Sequence, residues 1–287
     1  LRLEGAFSNN DVNTFSSVDE NDDKSYGILV DFKSSQYLKK NDSSSTLKWN
    51  SKIFYEQIGK NFQFIERYRD VEFQRDWNIQ ALTLDGNEYI TKVSTGLSKN
   101  SNFINYEVGS FIKGHDYQGL SNGFRSKYKN KGFEFESRGS ILQVDAINNS
   151  EFLRHYSTIS QKLWGLKFGA YLEQEKILFY EGKSDSLTNA SFDRIIWRSF
   201  VEKGDSTTEN TYRLSYSEVY DYFPQNEALD YSLKSENFGV DFKMAANPRS
   251  RLSGKVTYRR LLIQNDELAN RDPVSYTHLR AHETRGN

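Results

Sequence analysis

The densest run of chemically capable side chains lies between Glu66 and Trp77, where three arginines, four other charged residues, a tyrosine and a tryptophan crowd together. If the tract is extended, alternation puts Glu66, Tyr68, Asp70, Glu72, Gln74 and Asp76 on one face. Arg67, Arg69, Val71, Phe73, Arg75 and Trp77 then share the other. Two chemistries compete for it. One is a cross-strand ion network in a wet lumen or at a loop base, where opposite charges contribute roughly 0.2–1 kcal/mol a pair; this is the reading preferred. The other is a polar constriction or ligand-contact patch made by Arg67, Arg69 and Arg75 with Trp77. Guanidinium groups bind carboxylates bidentately, and aromatic rings stack on sugars or acyl groups.

Other candidates are weaker. His115 sits beside Asp116 in a Gly-flanked loop, but neighbouring side chains in an extended chain point apart, so a solvated turn is expected. His155 reads as a strand or turn residue. Glu134 with Glu136, and Glu173 with Glu175, are i, i+2 pairs that share a strand face, as a glycosidase could use; the wetted face of a strand is the plainer explanation. Tyr212, Tyr216, Tyr220 and Tyr222 with Phe223 suit an aromatic girdle at a membrane interface better than a sugar platform. No phosphate-cradling loop, nucleophile elbow or HExxH helix occurs. With no cysteine in the chain, thiolate metal sites and a disulfide scaffold are excluded. No catalytic, cofactor or metal site is expected, and the chain is read as non-enzymatic.

The elements that would position these residues follow from composition and period. The 287 residues carry 38 Lys+Arg against 39 Asp+Glu, a net charge of −1 that argues against nucleic-acid binding. Mean hydropathy is −0.77 and no apolar run reaches the roughly eighteen residues of a transmembrane helix. Aromatics make up 15% of the chain beside 3 Pro and 1 Met, a balance that favours β-strands over helices. Period-two segments recur between polar turns. Tyr26, Ile28, Val30 and Phe32 alternate with Gly27, Asp31 and Lys33; Leu166, Phe168, Ala170 and Leu172 with Lys167, Gly169, Tyr171 and Glu173. Phe238, Val240, Phe242 and Met244 alternate with Gly239, Asp241 and Lys243, and Leu252, Gly254, Val256 and Tyr258 with Ser253, Lys255, Thr257 and Arg259. Ala246-Asn247-Pro248-Arg249 supplies a hairpin turn between the last two. Longer polar breaks fall at 9–24, 41–46, 148–151, 183–190 and 203–210. No composition shift divides the chain, so residues 1–273 read as one β-rich domain, part of a larger barrel.

A soluble sandwich buries the apolar face of each strand, whereas an outer-membrane barrel turns it to lipid and wets the polar face. Alternating tracts near the ~9–11 residues that cross a bilayer, mid-strand charges such as Lys255 and Arg259, and abundant Tyr and Trp favour the barrel. The expected fold is an all-β, antiparallel up-and-down transmembrane β-barrel, present in part, of eleven to thirteen strands at one strand per ~20–25 residues. A β-sandwich or β-solenoid is the alternative. Phe238, Val240, Phe242, Leu252, Val256 and Tyr258 are the expected lipid-facing residues.

The ladder from Leu163 to Asp272, the hairpin ANPRSRLSGKVTYRRL and the segment FIERYRDVEFQRDWNI (Phe64 to Ile79) resemble outer-membrane β-barrel proteins of Bacteroidetes-type bacteria. The resemblance implies export and insertion in the outer membrane, with lipid and other envelope proteins as partners and no catalytic residues. The role implied is structural, in solute passage or in surface assembly; a secreted or cell-surface β-domain binding carbohydrate through exposed aromatics is the alternative. Val274 to Thr284 (VSYTHLRAHET) resembles the translation of a transposase sequencing adapter, a read-through product in assembled environmental DNA. Residues 274–287 are therefore expected to be non-native, and the spacing of His278 and His282 to carry no metal chemistry. The opening LRLEGAF starts in strand-like alternation, so the natural beginning is expected further upstream.

Overall fold

The computed structural model describes residues 1–11, 23–39, 46–80, 82–204, 210–225, 227–247, 250–263 and 274–283. Residues with alternating apolar and polar side chains extend into long strands, because a pleated backbone sends successive side chains to opposite faces. In chain order these are β1 (Arg2–Asn9), β2 (Lys24–Lys39), β3 (Leu47–Ile58), β4 (Glu88–Lys99) and β5 (Asn102–Lys113). Next come β6 (Tyr117–Asn130), β7 (Phe133–Asp145), β8 (Ser150–Leu163), β9 (Leu166–Phe179) and β10 (Phe192–Lys203). The last are β11 (Thr211–Gln225), β12 (Ala228–Asn247), β13 (Ser250–Ile263) and β14 (Val274–Glu283). The helix α1 (Phe73–Asp76) lies between β3 and β4.

Every strand pairs with its neighbour in sequence, giving one sheet of order β1 to β14, and every register determined is antiparallel. The fold is thus all-β and up-and-down, with thirteen strands ahead of residue 274. Among the described residues no pairing joins the first strand to the last. Residues 274–283 contribute β14, paired along β13 from Val274 opposite Arg259 to Glu283 opposite Ser250. An open strand edge offers its N–H and C=O groups to any extended segment, so this pairing is independent of the segment's origin. The polar breaks at 9–24, 41–46, 183–190 and 203–210 fall between strands or meet their ends, with 12–22, 41–45 and 205–209 outside the described residues, whereas 148–151 runs into β8 at Ser150. Pro248 and Arg249 of the hairpin turn lie outside the described residues, and the register closes on either side of them, Asn247 opposite Ser250.

Packing groups the chain into two compact units. The first holds Leu1–Arg125, Gly139–Phe152 and Phe179–Asp185; the second holds Ser126–Arg138, Leu153–Leu178 and Ser186–Asn287.

In the first unit the two sheet faces differ sharply. The cross-strand row Phe32, Ile53, Val93 and Val108 is 36% to 48% exposed. On the opposite face, Leu29, Glu56, Ile90 and Phe111 pair in a row that is 0% to 8% exposed. The connection from β3 to β4 covers that second face. The facing set out for 66–77 holds only for an extended tract, and the chain instead turns and closes α1. Asp76 N–H donates to Glu72 O at 2.8 Å and Trp77 N–H to Phe73 O at 3.1 Å, while Arg75 pairs with Glu72 at 2.6 Å across one turn. The turn is worth forming because it drops Trp77 onto the sheet, where it is 4% exposed.

The connection returns to β4 past the β5–β6 turn, glycine against glycine. Gly86 (φ 115°) and Gly114 (φ 58°) occupy left-handed backbone, and Gly114 N–H donates to Asn87 O at 3.0 Å. A Cβ on Gly114 would stand 2.1 Å from the Asp85 carbonyl oxygen. Gly114→Ala should therefore lower stability by about 1–3 kcal/mol or more in denaturant unfolding. Gly5→Ala, whose Cβ meets nothing within 4 Å, should leave the midpoint almost unchanged.

Candidate functional site

Two polar constellations lie on the sheet, one in each unit. In the first, Arg69 reaches from the β3–β4 connection between two carboxylates of the covered face. It is ion-paired with Glu56, and its Nη2 donates to Glu88 Oε2 at 2.8 Å. Lys113 adds a second cation at 2.9 Å from Glu88 Oε1. The Tyr68 hydroxyl donates to Glu56 Oε2 at 2.5 Å, and Tyr68 stacks on Phe64 with centroids 5.0 Å apart. The Arg69 guanidinium also lies over the Phe73 ring, 4.6 Å from its centroid. Alternation of charge across the interface thus ties the connection to the sheet.

Trp77 goes elsewhere. Its ring packs against Phe111 (5.5 Å) and over Gly109 and Gly119, where a Cβ would lie 3.6 Å and 2.9 Å from the indole. The Tyr117 hydroxyl donates to the Trp77 carbonyl. Phe73 closes the cluster edge-on to Phe111.

The four residues singled out between 66 and 77 are therefore dispersed. Arg69 is engaged by two carboxylates and Trp77 is in an aromatic core. Arg67 donates to the Arg69 carbonyl at 3.2 Å, and Arg75 pairs with Glu72 and Asp76 on the exterior. Sequence spacing could not show this, because the facing argument rested on an extended backbone.

The other candidates resolve into local contacts. His115 lies in the β5–β6 turn. His155 Nε2 is 2.9 Å from Ser157 Oγ and 3.4 Å from Ser137 Oγ. Glu134 pairs with Lys129 and Lys167, Glu136 with Lys127, and Glu175 with Arg154, while Glu173 accepts from the Tyr171 hydroxyl. Among the described residues no group of three or more His, Cys, Asp or Glu side chains could hold a metal ion.

In the second unit the polar face of β9 to β13 forms a cavity of about 1080 Å³. Its floor is a set of cross-strand rows. Glu202, Arg213, Asp241 and Lys255 form one row of alternating sign, with Arg213 3.8 Å from Glu202 and Lys255 3.5 Å from Asp241. Phe200, Ser215, Gly239 and Thr257 form the next, and Arg213 lies over the Phe200 ring at 4.1 Å. Arg198, Ser217, Asn237 and Arg259 form the third. Arg198 lies over the Tyr171 ring at 5.2 Å, and Arg259 Nε donates to Asn237 Oδ1 at 2.7 Å. The composition of the individual strands carried no hint of this grouping, which exists only once four registers are fixed.

The opposite face of these strands carries the predicted apolar set. Phe238 pairs with Tyr258 and Val240 with Val256, while Phe242 and Leu252 continue the stripe. Phe238, Leu252, Val256 and Tyr258 are exposed, and Val240 and Phe242 are half-buried. Phe242 also reaches the rim of the cavity. At one end of the stripe Glu218 is buried among donors: Trp197 Nε1 at 2.9 Å, the hydroxyls of Tyr216 and Tyr220 at 2.7 and 2.5 Å, and Lys234 Nζ at 2.8 Å. Tyr222 packs edge-on against Tyr231 beyond it.

Compared with known proteins, the chain matches no family model, and no curated protein matches it significantly.

Burial and the Glu56 carboxylate beside it push the Tyr68 hydroxyl up to about 12 from 10.0. A raised value means that the hydroxyl's contribution to holding the connection is complete below about pH 10 and is lost as pH rises through about 12. Proteolytic nicking within 59–87 should accelerate across that window. In Tyr68→Phe the nicking rate should be higher at neutral pH and flat across the window.

Proposed function

We propose that this chain is wall from an outer-membrane β-barrel of a Gram-negative bacterium, with a non-catalytic role in envelope structure, solute passage or surface assembly. The observation that carries this reading is the inversion of the two sheet faces. In the first unit the apolar row Phe32, Ile53, Val93 and Val108 is exposed, and the face that the chain itself covers holds Glu56, Glu88, Arg69 and Lys113 beside Leu29, Ile90 and Phe111. Water would penalise the first arrangement at about 25 cal/mol for each Å² of apolar surface, over row after row. Lipid removes that penalty and leaves the charged face to a wet interior.

Strand length agrees. The strands β2 to β13 run for 12 to 20 residues, beyond the ~9–11 that a tilted strand needs to cross a bilayer. Neighbour-to-neighbour antiparallel order is the connectivity of an up-and-down barrel, in which closure leaves no unpaired backbone in lipid. Tyr and Trp near strand ends, such as Trp49 and Tyr212, suit the interfacial belts.

Val93 and Ser94 are adjacent on β4 and face opposite ways, Val93 in the exposed row and Ser94 between Lys52 and Glu107. In a detergent- or lipid-refolded protein, Val93→Arg should cost about 2–4 kcal/mol at mid-bilayer depth and Ser94→Arg less than about 1 kcal/mol. Equal costs would overturn the assignment of faces. A recombinant chain that is folded and monodisperse in water without detergent would overturn the membrane reading and leave a soluble β-domain in its place.

A further inference from the structure

We infer that the cavity on the polar face of β9 to β13 binds small solutes carrying carboxylate or phosphate groups; this rests on the reading of that face as a wet interior. Five cations line the cavity, Arg198, Arg213, Lys243, Lys255 and Arg259, against two carboxylates, Glu202 and Asp241. Both carboxylates are already engaged, Glu202 by Arg213 and Asp241 by Lys255. Among the described residues Arg198, Lys243 and Arg259 have no carboxylate partner, so the concave wall holds uncompensated positive charge. Field lines concentrate in such a recess, and the chain's overall charge of −1 makes the local excess a property of placement rather than of composition.

The two unpaired arginines are nonetheless held in place, and by neutral groups. The Arg198 guanidinium lies over the Tyr171 ring. Asn237 accepts from Arg259 Nε, and its own amide donates to Ser235 Oγ at 3.3 Å, which orients it. A carboxylate in either supporting position would have fixed the guanidinium and cancelled its charge together. A ring and an amide fix it and leave the charge, and a guanidinium so held can recognise a planar carboxylate or a phosphate bidentately. Three strand spacings separate Arg198 from Arg259, roughly 14 Å at about 4.8 Å a step. Asn237, which lines the cavity, lies between them in the row, so a solute with more than one oxyanion can engage both ends and meet its amide along the middle.

The test is calorimetric titration of the full chain, refolded in detergent with its β-structure verified by circular dichroism, with citrate, inorganic phosphate and glucose as probes. Saturable binding of citrate or phosphate and none of glucose is expected; citrate alone marks a carboxylate solute, and phosphate alone a phosphate solute. The double variant R198Q/R259Q should weaken that binding at least tenfold with an unchanged circular dichroism spectrum. Arg75→Gln, which removes an exposed cation of the first unit, should leave it unchanged. Absence of saturable anion binding by the folded wild type, or an equal loss in Arg75→Gln, would overturn the inference. The membrane reading fails separately, by folding in water without detergent, whatever the titration shows.

Discussion

A strand commits each residue to one of two faces, and the chain applies that constraint through thirteen consecutive antiparallel strands before residue 274. Once one row is placed, every other row follows, because a shift of one residue would exchange the faces of a whole strand. The exposed row through Phe32, Ile53, Val93 and Val108 and the buried row through Leu29, Glu56, Ile90 and Phe111 are two outcomes of the same registers. Both the docking of α1 and the grouping of cations on β9 to β13 are consequences of those registers. Neither exists in any strand taken alone.

Much of the ladder was legible in the sequence because period two is a local property. Phe238 to Met244 and Leu252 to Tyr258 announce their faces within a few residues, and polar clusters such as 203–210 punctuate them. The tract from Glu66 to Trp77 was not legible in the same way. Its alternation of charge imitates a strand, but the decisive quantity was nonlocal: space between Gly109 and Gly119 on the covered face, which accepts an indole. Trp77 fills that space only if the backbone before it coils. Reading that from sequence would require knowing that two glycines of neighbouring strands, β5 and β6, meet the same indole.

The same distinction separates the two polar constellations. The first is self-satisfying: Arg69 and Lys113 meet Glu56 and Glu88, and the arrangement spends its charges on holding the chain together. The second mixes a satisfied row, Glu202 to Lys255, with one whose arginines rest on an aromatic ring and an amide. Cross-strand charge pairs are expected on any wetted sheet face and add little individually. Positioned but unneutralised arginines are a different matter, since among the described residues no carboxylate offsets their mutual repulsion.

Glu218 has a mechanical role that its chemistry does not suggest. It accepts from Trp197 on β10, from Tyr216 and Tyr220 of its own strand, and from Lys234 on β12, so one carboxylate joins three adjacent strands. Backbone hydrogen bonds alone are indifferent to sliding a strand by two residues, since such a slip restores both the pairing and the facing of every side chain. A slip of that kind between β10, β11 and β12 would carry Glu218 away from Trp197 or Lys234 and strand a buried charge. The carboxylate therefore acts as a latch against shear, selecting one sliding position from a series that the ladder itself treats as equivalent.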